Sequence, residues 1–298
     1  MPRIALKVDV DTYRGTREGA LRLADLLERL GVKATFLFSL GPDHTGRAIR
    51  RAFRRGFLGK VKRTSVLEHY GLKTLMYGVL LPGPQIGKRC AGDMRGIAQR
   101  AFEVGVHTWD HVRWQDGVAN ASEPWTRREL TRARDQFAEV FGHFPRVHGA
   151  AGWQMNAYVP LLQQELGFRY ASDTRGSAPF LPQLAQELGR VPQLPTTLPT
   201  FDELIGRPDL DAADPVEHLL ALTAAAAGRD QVFTLHAELE GGAYLGAFEK
   251  LLRAWQGRGF ELTDLGTYAS GLDMARLPPG RIATGTVAGR SGTLAVQA

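Results

Sequence analysis

"RIALKVDVDTYRGTREGALRLADLLERLGVKATFLFSL", residues 3–40, contains a strand, a helix and a second strand in direct succession. Residues 3–10 are rich in aliphatic side chains, and leucines recur at helical spacing over 16–31 until Gly31 ends the helix. Residues 33–40 form a nearly continuous apolar run. A strand, a helix and a strand in this order predict a right-handed βαβ unit and a parallel sheet that is buried on both faces.

The same alternation continues along the chain. Further helices are predicted over 93–105, 125–142, 155–166, 214–228 and 243–259, and further strands over 104–108, 168–173 and 231–238. Repeated units of this kind without an obvious linker favour one α/β barrel, with an open doubly wound sheet as the alternative.

Two segments interrupt the alternation. Residues 42–92 are far longer than the roughly 2–6 residues that usually connect a strand to a helix, so we expect an insertion there. Residues 276–298 are rich in Gly, Ala and Pro without periodicity, and we expect a disordered tail. The sequence therefore predicts a single catalytic-type domain over 1–275.

The composition, with 44% apolar and 23% charged residues, is typical of a globular protein with a large core. Cys90 is the only cysteine, which excludes an internal disulfide and fits a reducing compartment. The chain opens on a predicted strand, and no stretch reaches the roughly 18 apolar residues that a membrane span needs. We expect a cytoplasmic protein whose contact with a membrane is peripheral.

Positive charge is concentrated in residues 47–63, which carry eight Arg or Lys and no acid in a chain of net charge +6. As a helix, residues 47–58 would place Ile49, Phe53 and Phe57 on one stripe flanked by arginines. A basic amphipathic helix is typical of a membrane surface or a partner site. The alternative is that the stripe packs on the barrel and the arginines lie in water.

Three short motifs follow predicted strands. In "DVD" (9–11), Asp9 and Asp11 point to the same face of the strand, and in "HTWDH" (107–111) two histidines are spaced so that one helical turn brings them together. His236 in "TLHAE" (234–238) ends an apolar strand. In an α/β barrel such positions meet at one rim, where a divalent metal, a base and an acid could act together. Each motif alone is equally consistent with polar residues that cap a loop.

In this order, "DVD", "HTWDH", "HGAAGW" (148–153), "SDTRG" (172–176) and "TLHAE" resemble the motifs of the polysaccharide deacetylase (NodB-homology) superfamily. The resemblance spans residues 3 to about 268. The stretches "LKVDVDTYRGTREG", "LMYGVLLPGPQIGKRC" and "AAGWQ" are similar to the branch of deformylases that act on undecaprenyl-phosphate-linked 4-deoxy-4-formamido-L-arabinose. The resemblance implies a distorted (β/α)7 barrel and a metal-dependent amidohydrolase.

Carried over motif by motif, the resemblance implies that Asp11, His107 and His111 bind one divalent metal ion, which could be zinc, cobalt, manganese or nickel. It implies that Asp9 is the general base and that His236 is the general acid. The product would be formate and the aminoarabinose lipid used to modify lipid A in polymyxin resistance. A deacetylase of another N-acetylated sugar, or an adaptor for a membrane or nucleic acid on an inactive barrel, are the alternatives.

One departure from the family pattern concerns the residue that orients the base. Many members have an Arg in the third motif, whereas this chain has Gly149 at the matching position. Arg146, Arg175 and Asp173 are candidate substitutes. Two further supporting residues are predicted, Trp153 as a lining of the groove and Asp110 as a partner of a metal ligand.

The resemblance also implies a polyprenyl-phosphate-linked sugar as substrate and the anionic cytoplasmic face of the inner membrane as a peripheral partner. No nucleic acid and no obligate protein partner are expected. The apolar loop 74–84 suits an interface or a polyprenyl chain. The predicted contacts to lipid phosphate or membrane are Arg47, Arg50, Arg51, Arg54, Arg55, Lys60, Lys62 and Arg63.

Overall fold

The computed structural model describes residues 1–48, 73–185, 187–205, 207, 214–226 and 228–298. Its centre is a sheet of seven parallel strands in the order β5-β4-β3-β2-β1-β7, with β8 also paired to β1. The strands are β1 Arg3–Val10, β2 Thr35–Ser39, β3 Glu103–Thr108, β4 Val147–His148, β5 Tyr170–Ala171, β7 Gln231–His236 and β8 Glu261–Thr263. The predicted α/β barrel architecture is confirmed as a curled parallel sheet surrounded by helices.

The helices follow the predicted positions closely. A π-helical turn, Gly15–Gly19, leads into the first α-helix. The α-helices whose full extent is described are α1 Ala20–Arg29, α2 Ile86–Arg89, α3 Ala91–Gln99, α4 His111–Gly117, α5 Glu123–Phe141, α6 Val159–Glu165, α7 Phe201–Leu204, α8 Pro215–Ala225, α9 Leu245–Gly257 and α10 Leu265–Ser270. Glycines end two of them where the backbone turns left-handed, Gly31 with φ 64° and Gly142 with φ 78°.

Strand β1 separates two apolar layers because its alternate side chains point to opposite faces. Leu6 and Val8 belong to the large core between the sheet and the surrounding helices. Ala5 belongs to a smaller cluster inside the curled sheet. Lys7 and Asp9 have the same parity as Ala5 and are buried, so β1 carries charged groups into the barrel interior.

The segment 276–298 was expected to be disordered, and that expectation is wrong. Residues Ile282–Gly285 (β10) pair antiparallel with Leu294–Gln297 (β11), while Pro279–Gly280 (β9) pairs with Leu181–Pro182 (β6). Short strands bonded through the backbone need no side-chain periodicity, which is why composition failed to reveal them.

The insertion 42–92 lies between β2 and α3 as expected, and only its two ends are within the described residues. Within the described parts of the chain, no helix is long and apolar enough to cross a membrane. Cys90 is buried and has a free thiol.

The core between sheet and helices predicts a stability difference between two phenylalanines. Phe233 is fully buried and packs against Phe248 and Trp255, whereas Phe144 is 58% exposed. Replacing Phe233 with Ala should lower the free energy of unfolding by about 3–5 kcal/mol. The matched variant Phe144→Ala should change it by no more than about 0.5 kcal/mol, and urea denaturation of both variants measures the difference.

Candidate active site at the carboxyl edge of the sheet

The predicted site residues meet at the carboxyl edge of the parallel sheet. Asp9 lies near the end of β1 and Asp11 directly after it. His107 lies near the end of β3, His111 is the first residue of α4, and His236 ends β7. Neighbouring parallel strands end at the same edge, so the topology brings together residues that are far apart in the sequence.

Asp11, His107 and His111 form a compact cluster whose candidate ligand atoms all lie within 4.8 Å of one another. Nε2 of His107 is 3.2 Å from Oδ1 of Asp11, and Nε2 of His111 is 3.4 Å from its Oδ2. Oδ1 of Asp11 is buried and has no hydrogen-bond partner among the described residues. Two imidazoles and one carboxylate that converge in this way suit a divalent metal ion.

The electrostatics of the cluster favour an ionised carboxylate. Burial opposes the charge, but His111 and His107 outweigh it and hold the pKa of Asp11 below its usual value. Burial lowers the pKa of His111, which favours the neutral imidazole that a metal requires.

Backbone contacts hold Asp11 in place. Oε1 of Glu238 accepts hydrogen bonds from the backbone N–H groups of Asp11, at 3.1 Å, and of Thr12, at 2.9 Å. Burial and the neighbouring charge of Asp11 raise the pKa of Glu238 to about 8. A Cβ at Gly15 would lie 1.8 Å from Oε1 of Glu238, so this loop needs glycine there.

Asp110 caps the helix whose first residue is His111. Its Oδ1 accepts the backbone N–H of Arg113 at 3.1 Å and caps the helix that begins at His111. Its Oδ2 is 2.6 Å from Nδ1 of His44. This cap fixes where His111 starts the helix, and the role of Asp110 in orienting a metal ligand stays a prediction.

Lys7 is the residue that sequence reasoning missed beside the predicted base. Its side chain is fully buried, and Nζ is 3.3 Å from Oδ2 of Asp9 and 3.0 Å from the carbonyl oxygen of Ser172. A lysine on the inward face of a buried strand is unusual, since such charges are rarely buried unpaired. The sequence did contain a signal for this position: Lys7 lies two residues before Asp9 in β1, so both side chains point to the same face.

Leu37 and Lys7 occupy the space that a side chain at position 149 would need, and Cδ1 of Leu37 would lie 2.4 Å from its Cβ. A Cβ at Gly149 would lie 2.9 Å from Cε and 3.3 Å from Nζ of Lys7. Arg146, one of the predicted substitutes, is exposed. The chain therefore places a cation beside Asp9 from β1 instead of from the third motif.

The other two predicted substitutes have different partners. Oδ1 of Asp173 is 2.8 Å from Nδ1 of His148 and accepts the backbone N–H of Ala150 at 2.8 Å, so it holds the loop of the third motif. Arg175 pairs with the buried carboxylate of Glu203 and donates to the carbonyl oxygen of Leu198 at 3.0 Å. Both residues support the walls of the site.

Trp153 lies between the two halves of the site. Its ring is 5.3 Å from Nζ of Lys7 on one side and 6.5 Å, edge to face, from the ring of His236 on the other. The residue is buried, and its role as a lining of the groove stays a prediction. Trp153 has a φ of 52° and the preceding Gly152 a φ of 61°. This left-handed pair of residues turns the indole inward. Such backbone strain is often found at functional sites.

His236 has two acidic neighbours with different roles. Its backbone N–H donates to Oε2 of Glu240 at 2.8 Å, and burial raises the pKa of Glu240 well above its usual value. Its Nδ1 is 3.7 Å from Oδ1 of Asp202, which follows the capping residue of α7. Asp202 carries no motif of its own in the sequence, so only the fold reveals it.

The predicted lipid-contact residues fall mostly outside the described part of the chain. The residues outside the described part are Arg50, Arg51, Arg54, Arg55, Lys60, Lys62 and Arg63. Arg47 is described, and its Nε donates to the carbonyl oxygen of Gly78 at 2.9 Å.

A parallel α/β barrel with a two-histidine, one-aspartate cluster at its carboxyl edge defines a class of proteins built to hold a divalent metal. The model of the polysaccharide deacetylase family matches residues 2–171, more than half of the sequence, and the chain belongs to this family.

Two bacterial proteins show the resemblance in more detail. A protein of Shewanella sediminis (strain HAW-EB3) is 36% identical over 252 residues, which are 84% of this chain and 80% of that protein. A protein of Wigglesworthia glossinidia brevipalpis is 32% identical over 286 residues, 95% of this chain and 98% of that protein. Both carry the name "Probable 4-deoxy-4-formamido-L-arabinose-phosphoundecaprenol deformylase".

The fold is also found among solved structures. A crystal structure of a Mycobacterium smegmatis protein assigned to the polysaccharide deacetylases superposes with a TM-score of 0.67 at 18% identity. The superposition covers 96% of this chain and 94% of that one. It supports the architecture, including the strand edge on which the site lies.

The buried Lys7–Asp9 pair predicts non-additive stability changes. Lys7→Met leaves a buried carboxylate without its partner and should cost about 3–5 kcal/mol in the free energy of unfolding. Lys7→Met combined with Asp9→Asn should cost less than the sum of the single changes by about 0.5–3 kcal/mol. Denaturant unfolding in the presence of a chelator measures this cycle without a contribution from bound metal.

A pair on the surface provides the control for that cycle. Nζ of Lys250 is 3.1 Å from Oε1 of Glu217, and both side chains are more than half exposed. Lys250→Met should cost no more than about 1 kcal/mol. Additive losses for Lys7 and Asp9 would show that the two charges do not depend on each other.

Proposed function

We propose that this protein is a metal-dependent amidohydrolase that removes the formyl group from 4-deoxy-4-formamido-L-arabinose linked to undecaprenyl phosphate. The products would be formate and the 4-amino-4-deoxy-L-arabinose lipid, which would serve lipid A modification and polymyxin resistance. The observation that carries the proposal is the Asp11, His107 and His111 cluster, with a candidate base and a candidate acid at the same edge of the sheet. The names of the two relatives supply the substrate.

The metal site in this proposal consists of Asp11, His107 and His111. Their fit rests on the converging imidazole nitrogens and on the buried, unpartnered oxygen of Asp11. A divalent ion bound there would lower the pKa of a water molecule to about 7 and polarise the formamide carbonyl. The donor set suits zinc, cobalt, manganese or nickel.

Asp9 is the proposed general base. It lies two residues before Asp11 on the same face, and Nζ of Lys7 lies 3.3 Å from its Oδ2 in the interior of the barrel. Oδ1 of Asp9 is buried and has no hydrogen-bond partner among the described residues, so it can accept a proton from the attacking water. We propose Lys7 as the positioning residue that replaces the arginine of other family members.

His236 is the proposed general acid. Water adds to the formyl carbon, the C–N bond then breaks, and the amine nitrogen takes the proton that His236 donates. Oδ1 of Asp202 lies 3.7 Å from Nδ1 of His236. Asp9 and His236 are register partners on the neighbouring strands β1 and β7, so one can accept and the other donate within a single turnover.

Formate release tests the reaction directly. The metal-loaded protein should release one formate per molecule of formamido-arabinosyl polyprenyl phosphate, and a chelator should stop the release. Asp9→Asn should lower kcat by about 10²–10⁴, the usual contribution of a general base. The exposed Asp135→Asn serves as control and should retain full activity. Acetate release from the acetamido analogue in place of formate release would instead identify a deacetylase.

We also propose peripheral contact with an anionic membrane surface on the cytoplasmic side. The support is the loop 77–83 next to Arg47, where Leu80 is 77% and Leu81 38% exposed. Exposed leucines near the cation of Arg47 suit insertion into an interface, with this arginine at the level of the lipid phosphates.

Vesicle binding tests this contact. Leu80→Asp combined with Leu81→Asp should weaken binding to vesicles of phosphatidylethanolamine and phosphatidylglycerol by about tenfold or more, because two leucines lose their burial in the interface. Leu188→Asp changes an equally exposed leucine elsewhere and should leave binding unchanged. Equal binding by all three proteins would remove this loop from the membrane contact.

A further inference from the structure

The C-terminal hairpin, β10 and β11 with their connection, is bound to the walls of the site. The backbone N–H of Arg175 donates to the carbonyl oxygen of Ala295 at 2.9 Å, and that of Gln297 donates to the carbonyl oxygen of Arg175 at 2.7 Å. Nε2 of Gln154, next to Trp153, donates to the carbonyl oxygen of Thr293 at 2.6 Å. The hairpin is thus attached to the third and fourth sequence motifs.

The connection of the hairpin enters the site through a glycine. Gly289 has a φ of 83°, and a Cβ there would lie 2.2 Å from the carbonyl oxygen of Glu203. Only glycine allows so close an approach in this conformation. The next residue, Arg290, is directed by this turn towards Asp202 and Glu203.

Arg290 binds both of these carboxylates and the central tryptophan. Its Nη2 is 3.0 Å from Oδ2 of Asp202, and its Nε donates to Oε1 of Glu203 at 2.9 Å. Its guanidinium carbon is 4.5 Å from the centre of the Trp153 ring. The planar guanidinium can hold two carboxylates and stack on an aromatic ring at once, which a lysine cannot do.

Asp202 connects Arg290 to His236. One oxygen of Asp202 lies towards Arg290 and the other lies 3.7 Å from Nδ1 of His236. The side chain of Asp202 is 40% exposed; the hydroxyl of Thr200 donates to its Oδ1 at 2.5 Å, and Arg290 lies 3.0 Å from its Oδ2.

We propose that Arg290 of the C-terminal hairpin is a positioning residue that holds Asp202 in place and, through Asp202, orients His236 for proton donation. The inference rests on the proposed function in that it takes His236 as the proton donor. The hairpin is then a component of the active site, although it lies beyond the part of the chain that the family model matches.

The physical reason lies in the leaving group. An amine cannot leave from a formamide without a proton, so a misdirected imidazole slows the C–N cleavage of an amide. A nitrophenolate leaves from an aryl ester without a proton. Loss of Arg290 should therefore slow amide hydrolysis much more than ester hydrolysis.

The test compares two substrates in the full-length, metal-loaded protein. With the formamido-arabinosyl lipid, Arg290→Met should lower kcat by about tenfold to a hundredfold, part of what a general acid contributes, while KM changes by less than about twofold. With 4-nitrophenyl formate, measured above its spontaneous hydrolysis, the rate should fall by less than about threefold. Arg290→Lys should recover part of kcat, because it restores the charge without the two-carboxylate contact.

The control is Arg276→Met, which removes an arginine whose side chain is 86% exposed in the segment before the hairpin. It should leave both rates unchanged. Equal losses of Arg290→Met on both substrates, an unchanged kcat, or a higher KM with constant kcat would overturn the positioning role. Failure of the wild-type protein to release formate from the formamido lipid would overturn the proposed function itself, which is a separate result.

Discussion

The site depends on one constraint: β1 and the residue directly after it place Lys7, Asp9 and Asp11 on the same face, towards the interior of the barrel. Buried charges are costly unless they are paired, so each of these groups requires a partner from another strand or loop. Lys7 and Asp9 pair with each other, and Asp11 takes the two histidines that β3 and α4 bring to it. The position of the metal cluster therefore follows from the positions of the charged residues along β1 and directly after it.

In the proposed mechanism, the residues of the two proton transfers lie near one aromatic residue, Trp153. On one side Lys7 lies 5.3 Å from the ring of Trp153, and on the other side Arg290 lies 4.5 Å from the same ring. Each cation holds a carboxylate, Asp9 or Asp202. A base that must stay ionised and an acid that must be protonated benefit from separate, fixed environments, which is how one site can carry out both steps at one pH.

Much of the fold and site could be predicted because the signals are local. The alternation of strands and helices identified the parallel barrel, and motifs at strand ends identified Asp9, Asp11, His107, His111 and His236. The role of Lys7 could also have been predicted, because Lys7 is a charged residue on the inward face of β1. Asp202 and Arg290 were not, because their roles arise only when a short helix and a C-terminal hairpin fold against β7. The hairpin itself was mistaken for a tail because backbone pairing leaves no periodic pattern in the sequence.

The central claim is that Asp11, His107 and His111 form one metal site, and cobalt(II) binding tests it most directly. Titration of the metal-free protein, followed by visible absorption, should show one tightly bound ion per chain. His107→Ala should weaken this binding by more than about tenfold, since one of three protein ligands is lost. The exposed His143→Ala should bind as the wild type does. Tight, stoichiometric binding that survives His107→Ala, or no tight binding by the wild type, would contradict the account.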